Sequence, residues 1–76
     1  MQSLSEIVAS TVRAELARRK LRPVDLAPVL GVDVRAVQRR IAGEIAFELD
    51  ELPDVARFLG IALGDLVPAA VQAVAS

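Results

Sequence analysis

The sequence predicts an all-α domain of five or six short helices, and three observations support this. Apolar residues recur at helical spacing along most of the chain. Capping residues, prolines and glycines divide the chain into segments of helical length. More than half of the 76 residues are hydrophobic but only two are aromatic, which indicates a small aliphatic core rather than disorder. The length favours one domain over residues 1–76.

The first helix is expected from Leu4 to Lys20. Ser3 followed by Glu6 is a capping-box pattern, in which each residue accepts a hydrogen bond at the helix start. Basic residues in the last turn suit the negative end of the helix dipole. Its apolar face comprises Ile7, Val8, Val12, Leu16 and Ala17.

The second helix is expected over residues 23–30. Pro23 fits the first turn, where no backbone N–H is needed, and Gly31 is a natural stop. Pro28 removes a backbone hydrogen bond inside a regular helix, so this helix should be short and tight or bent there. Leu26, Val29 and Leu30 form its apolar face.

The third helix is expected over residues 34–42, with Asp33 as its N-cap and Gly43 as its stop. Val37 and Ile41 share the inner face of this helix. The opposite face carries Arg35, Gln38, Arg39 and Ala42.

The fourth helix is expected to start at Asp50 as N-cap and to stop at Gly60. Pro53 then occupies the third position, where its missing N–H costs little. Leu52, Val55, Ala56 and Leu59 supply its core face. A short turn follows near residues 63–67, and a last helix is predicted from Pro68.

The charges are divided along the chain, although the net charge is only −1. Residues 13–40 hold eight bases and three acids, a net charge of +5. Residues 41–76 hold one base, Arg57, and six acids, a net charge of −5. A polyanion would meet the local field of the basic segment rather than the average over the chain.

Two short helices joined at a glycine, over residues 23–42, form a helix-turn-helix candidate. Ala27 allows the two helices to cross closely, and Gly31 permits a left-handed turn. "LRPVDLAPVLGVDVRAVQRRIAGE" and the later "LPDVARFLGIALGDLV" resemble the Cro/C1-type helix-turn-helix family, the lambda-repressor-like DNA-binding domains of phage and bacterial regulators. The resemblance covers residues 21–67, and the size resembles a bare DNA-binding domain such as a Cro-like protein.

This resemblance implies that the second motif helix lies in the major groove of DNA. Arg35 and Arg39 would each pair with a guanine and Gln38 with an adenine, while Val34 would offer an apolar contact to a thymine methyl. Contacts to phosphates, which carry no sequence information, are expected from Arg13, Arg18, Arg19, Lys20, Arg22 and Arg40.

Two positions depart from the family pattern. Pro23 stands where the family often has a polar residue that reaches DNA. Arg40 stands where a large apolar residue is usual. We expect the stem of Arg40 to pack while its charge reaches solvent.

The resemblance also implies a homodimer on double-stranded DNA. The dimer element is expected in residues 66–76, with an apolar stripe available to a partner. That stripe comprises Leu66, Val67, Val71 and Val74. Packing of the same valines in the core of their own chain is the competing interpretation.

Simpler interpretations exist for the charged residues as well. The arginines of the third helix can be an ordinary solvated face, and Arg13 and Arg18 can serve only the solubility of the first helix. Arg57 is expected to pair with Asp54 or Glu51.

The function expected from these features is a transcription regulator, a repressor or Cro-like protein of phage or prophage type. The alternative is an antitoxin or protein-interaction module that grips a partner protein, with or without DNA binding. The basic segment around the motif discriminates between them, because a pure protein binder has no need of it.

Other classes are not expected. The sequence has no His, Cys or Tyr and no phosphate loop, so we expect no enzyme, small-molecule substrate, cofactor or metal site. No disulfide can form. No apolar run approaches the ~18 residues of a membrane-spanning helix, and Glu6 interrupts any signal-peptide pattern. A cytoplasmic protein is therefore expected.

Overall fold

The computed structural model describes residues 3–67, which form four α-helices and one short 3-10 helix, with no strand in this range. The helices are α1 (Leu4–Arg18), α2 (Pro23–Leu30), α3 (Val34–Ile41) and α4 (Glu51–Leu59), followed by the 3-10 helix (Leu63–Leu66). The all-α prediction is confirmed, but the five to six helices predicted are more than the four α-helices within residues 3–67. The last helix predicted from Pro68 lies outside the described residues.

The helix starts follow the capping signals with one exception. Ser3 Oγ accepts a hydrogen bond from the N–H of Glu6 at 3.2 Å, and the Glu6 carboxylate accepts from the N–H of Ser3 at 3.3 Å. Asp33 caps α3 by accepting from the N–H of Ala36 at 2.8 Å. Asp50 occupies the N-cap position of α4, but its side chain makes no capping bond.

All four helices end in the same way, with an N–H bonded to the carbonyl five residues earlier. These bonds run from Leu21 to Leu16, Val32 to Ala27, Glu44 to Arg39 and Ile61 to Ala56. The residue before each donor has a positive φ; three of these residues are glycines, and the fourth is Lys20 at 57°. Because Lys20 takes this left-handed conformation, α1 ends at Arg18 rather than at the expected Lys20.

The core is aliphatic apart from Phe47 and draws on every element. α2 packs against α3 and α4, while α1 packs against α3 and the 3-10 helix. Leu26 and Val37 are completely buried where α2 and α3 meet, and Ala27 lies partly buried beside them. The buried residues are Val8, Ala9, Val12, Leu16, Leu26, Val37, Phe47, Val55, Ala56, Leu59 and Leu66. This arrangement holds one face of α3 against the core and leaves the other to solvent.

No helix within residues 3–67 is both long enough and apolar enough to cross a membrane.

Candidate nucleic-acid interface

The outer face of α3 carries the four predicted base-reading residues. Arg35, Gln38 and Arg39 are exposed, and the side chain of Val34 at the start of the helix is also exposed. Val37, on the opposite face, is completely buried. The core therefore fixes which way α3 faces, and the predicted division between the two faces is confirmed.

The side chains on this face are largely uncommitted. Within residues 3–67, Arg35 and Gln38 form no side-chain hydrogen bond and no ion pair. Arg39 Nε lies 4.0 Å from a carboxylate oxygen of Glu44, and both side chains are more than half exposed. An ion pair this long and exposed contributes little, about 0–1 kcal/mol. The three side chains are thus available to a ligand.

Arg40 is nearly buried and is bonded within its own chain, so the expectation that its charge reaches solvent is wrong, and this geometry gives its predicted phosphate contact no support. Its Nε and Nη2 donate to the two carboxylate oxygens of Glu51 at 3.0 and 3.1 Å, and its Nη1 donates to the carbonyl of Ala36 at 3.2 Å. The side chain is 11% exposed and that of Glu51 is 12% exposed. A buried guanidinium needs such a partner because an unpaired charge there is costly. Arg40 therefore ties α3 to the start of α4.

Glu51 also shapes the start of α4. One of its carboxylate oxygens accepts from the N–H of Glu48 at 2.9 Å while holding Arg40. This bond satisfies an N–H of the loop before α4 rather than one in the first turn of the helix. One carboxylate thus anchors α3 and orders the end of the preceding loop.

Arg13 lies beside the C-terminal end of α3, where Arg40 also lies. Its Nη1 donates to the carbonyl of Ile41 at 2.6 Å, although the side chain as a whole is exposed. A cation at the last carbonyls of a helix is favoured by the helix dipole. Arg13 therefore already serves α3, and its role towards phosphate remains a prediction.

The remaining predicted phosphate contacts cluster where α1 ends. Arg18 Nη1 lies 3.3 Å from the carboxylate of Glu15, and Arg19 hydrogen-bonds the same carboxylate. The bond from Arg19 lowers the pKa of the Glu15 carboxyl, aided by the charges of Arg18 and Arg19 and opposed by burial. Lys20 and Arg22 are exposed and form no ion pair with residues 3–67.

The predicted dimer residues divide into three groups. Leu66 is completely buried in the core of its own chain, so the expectation that it forms a dimer surface is wrong. Val67 is partly buried and packs against that core. Val71 and Val74 lie outside the described residues.

The sequence pattern did not indicate two acids that support this surface. The pairing of Glu15 with Arg18 and Arg19 could have been predicted, because Glu15 precedes them by three and four residues on one helix. The pairing of Glu51 with Arg40 spans eleven residues and an irregular loop, so no helical periodicity signals it. The pairing of Arg57 with Asp54, at 3.3 Å, is as expected.

Within residues 3–67, no cluster of three or more acidic side chains is arranged to hold a metal ion. Among family models, the BetR domain matches residues 3–75 of the chain. No curated protein and no solved structure matches significantly.

Proposed function

This chain belongs to the BetR domain family, and we propose that it is a sequence-specific DNA-binding transcription regulator of the Cro/C1 helix-turn-helix type. In this proposal α2 and α3 form the motif, and α3 enters the major groove of duplex DNA. The activity is binding alone, without catalysis.

One observation carries the proposal: α3 presents Arg35, Gln38 and Arg39 to solvent on an eight-residue helix whose other face is buried. Arginine pairs with guanine, and glutamine with adenine, through two hydrogen bonds each. Arg35 and Gln38 have no partner to give up within residues 3–67, and Arg39 has only a weak one. Binding to DNA would thus need little rearrangement of this face.

The attachment of α3 to the rest of the fold supports the same conclusion. Arg13 binds the carbonyl of Ile41 at one end of the helix, and Arg40 holds Glu51 near it. Base readout depends on side chains that a supporting framework keeps in place. Arg13 and Arg40 therefore support the fold around α3, and in this proposal Arg35 and Arg39 contact the bases.

The phosphate contacts in this proposal come mainly from Arg18, Lys20 and Arg22, at the end of α1 and the turn that follows. Arg19 is the least available, since its guanidinium is bound to Glu15 and is 30% exposed. These residues would supply affinity for any duplex rather than a preference among sequences.

A homodimer is part of the proposal, because one short helix reads only a few base pairs. A dimer of such motifs reads two half-sites spaced ~34 Å apart along the duplex. Leu66 takes no part in the interface, since it belongs to the core.

The deciding experiment is selection from a random duplex pool at low salt, followed by affinity measurement on the selected site. We expect a preferred site with two related halves. When Arg35 or Arg39 is replaced by alanine, Arg57→Ala is the matched control. Arg57 is an exposed arginine on α4, so its replacement removes the same charge away from α3. Failure to bind any duplex at low salt would reject the proposal and favour a module that grips a protein partner.

A further inference from the structure

An apolar groove lies on the side of the molecule formed by the start of α1, the loop before α4 and the first turn of α4. Its volume is about 450 Å³. The walls include Leu4, Val8, Phe47, Leu49, Leu52 and Val67. Neither the reading face of α3 nor the basic cluster contributes to it.

The groove leaves two large apolar side chains open to solvent. The side chain of Leu49 is 83% exposed and that of Leu4 is 46% exposed, although both lie beside the buried Phe47. Among residues 3–67, no charged side chain lines the groove. A clustered apolar surface of this kind is typical of a surface that another segment covers.

The surroundings of the groove restrict what can cover it. Acids adjoin its lining residues in sequence: Glu6 follows Ser5, and Glu48 and Asp50 flank Leu49. Two such faces brought together by a two-fold axis would set acids against acids. An uncharged apolar segment meets no such repulsion.

The chain itself supplies a segment of that kind. Val67, which lines the groove, is followed by "PAAVQAVAS", residues 68–76. This segment contains no charged residue and is rich in alanine and valine. Nine residues can extend up to ~30 Å, so a segment that starts at the wall of the groove has ample reach to lie along it.

We propose that residues 68–76 dock in this groove of their own chain and cover Leu4 and Leu49. The proposal does not depend on DNA binding. Docking would also brace the loop that joins α3 to α4, because Phe47 and Leu49 belong to that loop. The segment would then be part of the folded domain rather than a dimer element.

The test is a set of nuclear Overhauser contacts in the full chain. We expect contacts between the methyl groups of Val71 or Val74 and those of Leu4, Leu49 or Leu52. A mixed sample of labelled and unlabelled chains, filtered for contacts between copies, should show none. Contacts seen only between copies would overturn the proposal and assign the groove to a partner's segment. Absence of both kinds would leave the groove uncovered and overturn it equally.

A pair of variants checks the same point without relying on assignment of every contact. Leu49→Asp should abolish the contacts of Val71 and Val74 and increase hydrogen exchange of the amides in residues 69–76. Leu63→Asp is the matched control, because Leu63 is also exposed, at 47%, but does not line the groove. Equal effects of the two substitutions would contradict docking at this site.

Discussion

Arg39 and Arg40 are neighbours in sequence, yet their guanidinium groups lie in opposite surroundings. The side chain of Arg39 is 56% exposed with one distant acid beside it, whereas that of Arg40 is 11% exposed and doubly bonded to Glu51. Neighbouring residues on a helix point about 100° apart, so one faces solvent while the other meets α4. Identical side chains therefore differ in what they contact, because one is exposed to solvent and the other holds α3 against α4.

The exposed arginines should affect binding and leave stability unchanged. Arg35→Ala and Arg39→Ala should each change the free energy of unfolding by less than ~0.5 kcal/mol, since neither supports the core. Each should weaken binding to the selected site by about 1–3 kcal/mol and relax preference at one base position per half-site. Affinity measured on a set of single-base variants of the site checks this. A loss of affinity that is the same for all single-base variants of the site would show that these arginines contact phosphates. Arg57→Ala should change neither the free energy of unfolding nor the DNA affinity.

The pair of Arg40 and Glu51 should behave in the opposite way. Glu51→Gln keeps the shape of the side chain but leaves the nearly buried guanidinium without a counter-charge, which should cost about 3 kcal/mol of stability. Asp54→Asn is a matched control, because Asp54 is also an acid in the first turn of α4 but pairs with an exposed arginine. It should cost less than ~1 kcal/mol. Denaturant unfolding of both variants makes the comparison, and similar losses would show that the helix dipole, not the ion pair, matters.

Glu15 should make stability depend on acid pH. Its folded-state pKa is below the ordinary value of 4.5, chiefly because Arg19 donates a hydrogen bond to it. The stabilisation is therefore fully present above the unfolded-state pKa and is lost as the pH falls through the lower folded-state pKa. Glu15→Gln should lower the melting temperature at neutral pH. It should have no effect at a pH low enough to protonate Glu15 in both the folded and the unfolded protein. An equal loss at both pH values would exclude the charge as the cause.

At the scale of single helices, the sequence predicts starts better than ends. Ser3 with Glu6, Pro23 and Asp33 all mark starts correctly, because capping is a local property of three or four residues. α1 ends before the expected Lys20, because Lys20 adopts a left-handed conformation that non-glycine residues rarely take. Periodicity alone predicts which face of α3 is exposed. It does not predict the anchorage through Arg40, because that depends on how α4 is placed.

Gly31 should be needed for both the fold and the site. Its φ is 68° and a Cβ added there would meet no atom within 4 Å, so Gly31→Ala would suffer only the cost of a left-handed residue, about 1–2 kcal/mol. Gly60→Ala is the natural comparison, because Gly60 has a φ of 73° and equally open surroundings at the end of α4. Both should lower the melting temperature similarly. Only Gly31→Ala should also reduce the DNA affinity of the molecules that remain folded. If the two variants bind DNA equally well, this turn does not determine how α3 contacts DNA.

For the molecule as a whole, the division of charge predicts how binding responds to salt. All bases except Arg57 lie in α1 to α3 and the turns between them, while the acids dominate from Glu44 onward. The logarithm of affinity should fall linearly with the logarithm of salt concentration, by about 0.9 for each phosphate neutralised. Replacing both Lys20 and Arg22 by alanine should reduce that slope by about 2 and weaken binding to all duplexes alike. An unchanged slope would show that neither Lys20 nor Arg22 contacts a phosphate.

The contact between α1 and the 3-10 helix Leu63–Leu66 joins the first and last described elements of the chain. Leu66 is completely buried there, so the core cannot close until that residue is available. Chains are synthesised at about 5–20 residues per second. The apolar face of α1 is therefore made several seconds before Leu66, the last residue that packs against it. During synthesis α1 to α3 can meet early, but a nascent chain halted before Leu66 should remain open to proteases and chaperones.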